Sequence, residues 1–306
     1  MTGTSTGTAS FTYNPAYQTL GGEALLFPPL LTSAGLLLQV SLRYIYGINS
    51  STACLVWFRV AGSGVNHGID LGAFGAVSFT TQLALSEDEA VFCGGTSAGD
   101  AFCASTADGA LLWRAKATSE SGGVTSSPTI HNSTLLLGVT NDAGGTSAGF
   151  HAVAYSLTGA LLWRLQPAVS AFVGNVSRLQ FSVVPAFVSP TVDALAIAVP
   201  FTDYAEVYVL DPAGAVVLET VRIPQASPIV SPVAVDAANA LFVMTLDAAD
   251  SVQRLYRVDA ARGTVDDGLV VGGAASAAAF PNYLSLVVGN GAAMLADFNG
   301  ALHIYS

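Results

Sequence analysis

The stretch Gly-Ala-Leu-Leu-Trp-Arg occurs twice in this 306-residue chain, at 109–114 and again at 159–164. Both copies sit in a longer match, Ala104 to Arg114 against Ala154 to Arg164. A looser copy lies upstream, Ala53-Cys54-Leu55-Val56-Trp57-Phe58. Three more lie downstream: Leu210-Asp211-Pro212-Ala213-Gly214 to Leu218, Val258-Asp259 to Arg262-Gly263, and Asp297-Phe298-Asn299-Gly300 to Ile304. Units recurring every roughly 40 to 55 residues define an array, in which no unit buries its apolar face alone and each must cover its neighbour.

The units share an internal order. A Ser/Pro element opens them: Ser126-Ser127-Pro128, Ser189-Pro190 or Ser227-Pro228 with Ser231-Pro232. Apolar runs of strand length follow, such as Thr134 to Val139, Leu195 to Val199 and Ala240 to Thr245. After a turn come alternating runs such as Ala152 to Tyr155 and Glu206 to Leu210, and then a glycine turn into the Leu-Leu-Trp strand. Short runs rich in β-branched and aromatic residues, bounded by turn residues, read as strands, and no window carries a helical period. The turn glycine supplies a positive φ. Four short strands per unit, stacked around an axis, give an all-β chain: a β-propeller of about six four-stranded blades. The expected blades are 27–62, 78–118, 126–167, 182–221, 227–268 and 273–306, within one domain over 11–306. Met1–Ser10 is read as a disordered tail, without the basic and apolar regions of a signal peptide. Phe11–Tyr17 is left over, either to add a closing strand to the last blade or as part of a seventh. Trp57, Trp113 and Trp163 fall on outermost strands, where each packs against a neighbouring blade with its N–H paired.

Apolar residues make up 52% of the chain and charged residues 10%. The greasiest stretch, Leu20 to Leu42, is broken by Glu23, Pro28, Pro29 and Gly35, so no membrane-spanning helix is read. With 21 acids against 10 bases, net charge −11 and Lys116 as the sole lysine, the chain suits neither nucleic acid nor an anionic lipid surface. Of three cysteines, Cys93 and Cys103 can face each other across a hairpin, as a disulfide or as two buried thiols. Asn49, Asn132 and Asn175 begin N-x-Ser/Thr sequons. Disulfide and sequons together lean towards the secretory pathway or the extracellular space.

The unit Ala154-Tyr155-Ser156-Leu157-Thr158-Gly159-Ala160-Leu161-Leu162-Trp163 resembles the pyrroloquinoline-quinone-type repeat of the quinoprotein alcohol dehydrogenase-like propellers. Asp108-Gly109 stands in for Thr-Gly one blade earlier. The resemblance covers about residues 27 to 306 and implies the scaffold. It also implies a range of roles, because that superfamily holds enzymes, assembly-factor lipoproteins and sensor domains. The alcohol dehydrogenases in it use the quinone, calcium and a pair of adjacent cysteines. The nearest cysteines here are ten residues apart, and no CxxCH haem motif occurs, so no catalytic residue carries over.

Little chemistry is concentrated locally. His67, His131, His151 and His303 fall in different units, and none is spaced from another as a metal pair. There is no Gly-x-Ser-x-Gly elbow on a strand–turn–helix, and no phosphate-binding loop with its lysine precedes a helix. Neither Asn141 to Gly145 nor Leu246 to Asp250 has a complete calcium-loop spacing. The turn between the second and third strands carries an acid in four units: Asp100, Asp142, Asp203, and Asp247 or Asp250. Equivalent turns open on one end of a propeller, so these acids would rim that end and attract a cation or a basic partner; equally, aspartate is a common turn residue. The reading is a non-catalytic propeller that binds another protein and needs no cofactor. The alternatives are a quinone- and calcium-dependent oxidoreductase homologue or fragment, and a carbohydrate hydrolase with two carboxylates meeting at the axis.

Overall fold

The computed structural model describes residues 29–41, 44–52, 54–61, 68–69, 79, 81–117, 125–140, 150–168, 179–201, 203–213, 216–224, 226–247, 252–272, 286–289, 292–296 and 302–305. These residues form six sheets in chain order, antiparallel except where one short strand is added to the first, and none is helical. The first sheet holds β1 (Leu30–Leu31), β2 (Leu36–Val40), β3 (Tyr44–Asn49) and β4 (Leu55–Ala61), with β5 (Gly68–Ile69) added parallel to β4. The second holds β6 (Ala84–Leu85), β7 (Val91–Gly95), β8 (Asp100–Ser105) and β9 (Leu111–Lys116). The third holds β10 (Thr129–His131), β11 (Thr134–Thr140), β12 (Phe150–Ser156) and β13 (Leu161–Ala168). The fourth holds β14 (Ser182–Ser189), β15 (Val192–Pro200), β16 (Tyr204–Asp211) and β17 (Val216–Pro224).

The fifth sheet keeps four positions but splits two of them. β18 (Ala226–Val230) and β19 (Ala234–Val235) both pair with β20 (Leu241–Asp247). On the far side, β22 (Thr264–Val265) and β23 (Leu269–Gly272) both pair with β21 (Gln253–Asp259). The sixth sheet contributes β24 (Leu286–Gly289), β25 (Ala292–Ala296) and β26 (Leu302–Tyr305). The expected closing strand at 11–17 and the tail at 1–10 lie outside the described residues.

The core is a series of layers between sheets. One joins the first and second sheets through Leu38, Ile45, Trp57, Phe92 and Phe102. The next joins the second and third through Cys93, Cys103, Leu135, Leu137 and Val153. A larger one runs from the third sheet to the fifth through Phe150, Ile197, Val207, Tyr208 and Val243. Middle strands are covered on both faces, so β8, β11 and β15 read as continuous apolar runs. The outermost β17 alternates between exposed and covered residues.

The repeat motif couples neighbouring sheets. Trp57 Nε1 donates to the Thr106 carbonyl at 3.1 Å, Trp113 Nε1 to Leu157 at 2.6 Å and Trp163 Nε1 to Pro212 at 2.8 Å. Each donor lies on the fourth strand of its sheet, and each acceptor lies in the turn between the third and fourth strands of the following sheet. Gly159 has φ +91° in such a turn, and a Cβ there would stand 2.9 Å from the Trp113 ring. The glycine of one unit therefore seats the tryptophan of the unit before it.

The Ser/Pro elements do two different things. Ser126 donates its N–H to the Gly138 carbonyl and accepts the Gly138 N–H on its Oγ at 2.7 Å. Ser231 does the same with Met244, its Oγ accepting at 2.9 Å. In both, a hydroxyl continues the pairing of the second strand beyond the innermost strand, where the proline that follows supplies no N–H. Ser189-Pro190, expected to open a unit, instead ends β14 and turns into β15. That sheet's innermost strand has already run from Ser182, so the dipeptide is met at a turn.

Candidate functional site

Asp100 begins β8 after a tight turn in which Gly99 takes φ +73°. Its side chain is 1% exposed, and Arg114 Nη2 lies 3.0 Å from Oδ2 while Lys116 Nζ lies 3.3 Å from Oδ1. Both cations stand on β9, and Lys116 is the register partner of Asp100. Thr96 Oγ1 adds a 3.3 Å bond to Oδ2. A buried carboxylate needs such compensation, and with both cations spent on it the acid is part of the blade. Asp203 sits exposed in the turn between β15 and β16. Asp142 and Asp250 lie outside the described residues, as does the side chain of Asp247. Of the four units in the expected rim, the structure therefore places two acids, one buried and one exposed.

One polar pair joins the inner edges of two sheets. Gln82 Nε2, next to β6, donates to Gln180 Oε1, next to β14, at 2.5 Å. This contact runs from the second sheet to the fourth past the third, so the inner ends converge. At the outer edge of the fourth sheet, the Arg222 guanidinium lies 3.6 Å from the Tyr204 ring centroid. Nearby, the Tyr208 hydroxyl donates to Glu206 Oε2. Burial, and then the bond to Glu206, raise the Tyr208 phenol far above its ordinary value, so it serves as a fixed donor. Among the described residues no group of three or more His, Cys, Asp or Glu could hold a metal ion, so no calcium ligand set can be named.

Two features escaped the sequence reading. The first is a cleft of about 330 Å³ between the fourth and fifth sheets. Phe187, Asn239, Arg257 and Asp259 line it with several alanines. Asn239 takes φ +62° and donates its Nδ2 to the Pro185 carbonyl, tying the two sheets together. The volume is at the low end for a small-molecule site. One guanidinium, one amide and one carboxylate on an apolar wall suit recognition of a polar side chain. Nothing in the repeat marks these four residues as a set, because they meet only across a sheet boundary.

The second feature is a β-bulge repeated in four successive sheets. Gly47 pairs with Trp57 and Ile48 with Leu55, which leaves Val56 as an extra residue. In the same way the pairing skips Leu112, Leu162 and Leu218. A bulge re-aims the side chain of its extra residue. Here all four are apolar and face solvent: Val56 is 56% exposed, Leu112 53%, Leu162 51% and Leu218 37%. The Leu-Leu-Trp signature was visible in the sequence, but the missed pairing that turns its second leucine outwards was not.

The strand order, the stacked four-stranded sheets and the tryptophan ties define a β-propeller. Comparison with solved structures finds the same fold. BamB from Moraxella catarrhalis is similar with a TM-score of 0.58 at 14% identity, covering 92% of this chain and 72% of that one. A europium-containing methanol dehydrogenase is similar with a TM-score of 0.62 at 11% identity, covering 96% and 71%. The Dos1 propeller is similar with a TM-score of 0.56 at 12% identity, covering 89% and 64%. At these identities the likeness is one of fold. No family model and no curated protein matches the sequence.

Proposed function

We propose that this chain is a non-catalytic propeller that binds a protein partner in an oxidising compartment. The observation that carries the reading is the bulged apolar residue, repeated as Val56, Leu112, Leu162 and Leu218 on the outer strands of four successive blades. Apolar side chains held out of the core in a regular row suit a partner's surface. The indoles of Trp57, Trp113 and Trp163 are engaged in tying neighbouring blades together, and Asp100 is engaged within its own blade. The compartment is inferred from the Cys93–Cys103 disulfide.

Proximity labelling of the intact chain, beside a Leu112→Ser/Leu162→Ser variant of unchanged fold, tests the reading. A partner labelled by the parent protein and lost with the variant supports it. Equal labelling by both, or none by either, removes it. Titration with the quinone and calcium, followed by absorbance, addresses the oxidoreductase alternative. A stoichiometric complex there would displace the non-catalytic reading.

A further inference from the structure

Two of the three sequons lie within the described residues, and the one at Asn132-Ser133-Thr134 sits at a hairpin tip. It occupies the hairpin between β10 and β11, where His131 pairs with Thr134 and only two residues make the loop. Asn132 has φ +48° and Ser133 φ +57°, the paired left-handed conformation of a type I′ turn. Both residues are exposed. Asn49 is held differently: its Oδ1 accepts bonds from Ser51 N at 3.1 Å, Ser51 Oγ at 2.7 Å and Thr52 N at 3.1 Å. Asn175 lies outside the described residues.

The geometry points to Asn132 as an N-glycan acceptor, with the sugar projecting from the β10–β11 tip. A glycan attached during synthesis has to be accommodated when the chain folds, and an exposed two-residue tip accommodates it. The co-reactant is an oligosaccharide carried on a polyprenyl diphosphate. Asn132 Nδ2 bonds to C1 of the first sugar, the C1–O bond to the diphosphate breaks, the lipid diphosphate leaves and one amide proton goes to base. The amide keeps its second proton, so the 2.9 Å contact between Asn132 Nδ2 and His131 Nε2 can survive modification. The Thr134 hydroxyl demanded by the sequon lies on the same hairpin, 3.4 Å from the Asn132 carbonyl oxygen. The inference rests on the oxidising compartment proposed above.

The test directs the full chain into the secretory lumen of a eukaryotic host with an added leader. The secreted protein is treated with peptide N-glycosidase in heavy-oxygen water and mapped by mass spectrometry without reduction. Heavy oxygen at Asn132, with loss of one glycan step in Asn132→Gln, is the expected result. A bare Asn132 in protein that carries the Cys93–Cys103 bond overturns the glycan and spares the compartment. A sugar on Asn132 beside free Cys93 and Cys103 thiols overturns the disulfide argument and spares the glycan.

Discussion

At the scale of single residues, the repeat is explained by what each recurring residue touches, within its own blade or in a neighbouring one. Gly159 is required twice over, by its φ of +91° and by the Trp113 ring 2.9 Å from where a Cβ would be. A left-handed conformation alone costs a non-glycine residue about 1–2 kcal/mol. Gly159→Ala is therefore expected to lose about 2 kcal/mol or more in urea unfolding. Wild-type stability would show that the turn and the indole both shift freely. Ser126 offers a cleaner case. Its Oγ is the acceptor for the buried Gly138 N–H, so Ser126→Ala leaves that donor unsatisfied. The expected loss is about 1–3 kcal/mol, read as a lower denaturation midpoint with an unchanged m-value.

Individual strands show how much rests on register. Cys93 and Cys103 are directly opposite on β7 and β8, with Cα atoms 4.1 Å apart, and are joined as a disulfide. Sequence spacing had left bond and free thiols equally open, because ten residues admit many hairpin registers. The outcome was decided by Gly95 opposite Ala101 and Val91 opposite Ser105, which bring the two cysteines face to face. Both are fully buried in the layer against the third sheet. Closing so short a loop stabilises by about 2–3 kcal/mol in the chain-entropy account. The Cys93→Ala/Cys103→Ala double variant should lose about that much, and native protein should resist mild reductant until it unfolds. Rapid alkylation of both thiols under native conditions would contradict the burial.

Across the whole molecule, stability depends on contacts between sheets, and some of these titrate. Tyr155 lies between the second and third sheets, its hydroxyl donating to the Lys116 carbonyl at 3.1 Å. Burial raises its phenol above the ordinary 10.0, against a smaller opposing effect of Arg164. Tyr208 is raised further, by burial and Glu206. A raised phenol favours the neutral form in the folded state, while the unfolded chain ionises near 10.0. Stability is therefore intact below that pH and falls as pH rises from it towards the folded values. Ultraviolet titration should show these two tyrosines ionising last and together with loss of near-ultraviolet circular dichroism. Normal phenolate titration before any unfolding would contradict the interlayer packing.

The sequence by itself determined the unit: its length, its strands, the turn glycines and the tryptophan on the outermost strand. These are local matters, set by residue type and by contacts within one repeat, and repetition made them legible. Only the tertiary structure decided which carbonyl each indole meets, that Asp100 is buried between Arg114 and Lys116, and that Val56, Leu112, Leu162 and Leu218 are bulged outwards. Those outcomes depend on register and on the angle between blades, where a shift of one residue exchanges the buried and exposed faces. A pattern of side-chain types does not contain that shift, and packing between neighbouring sheets selects it.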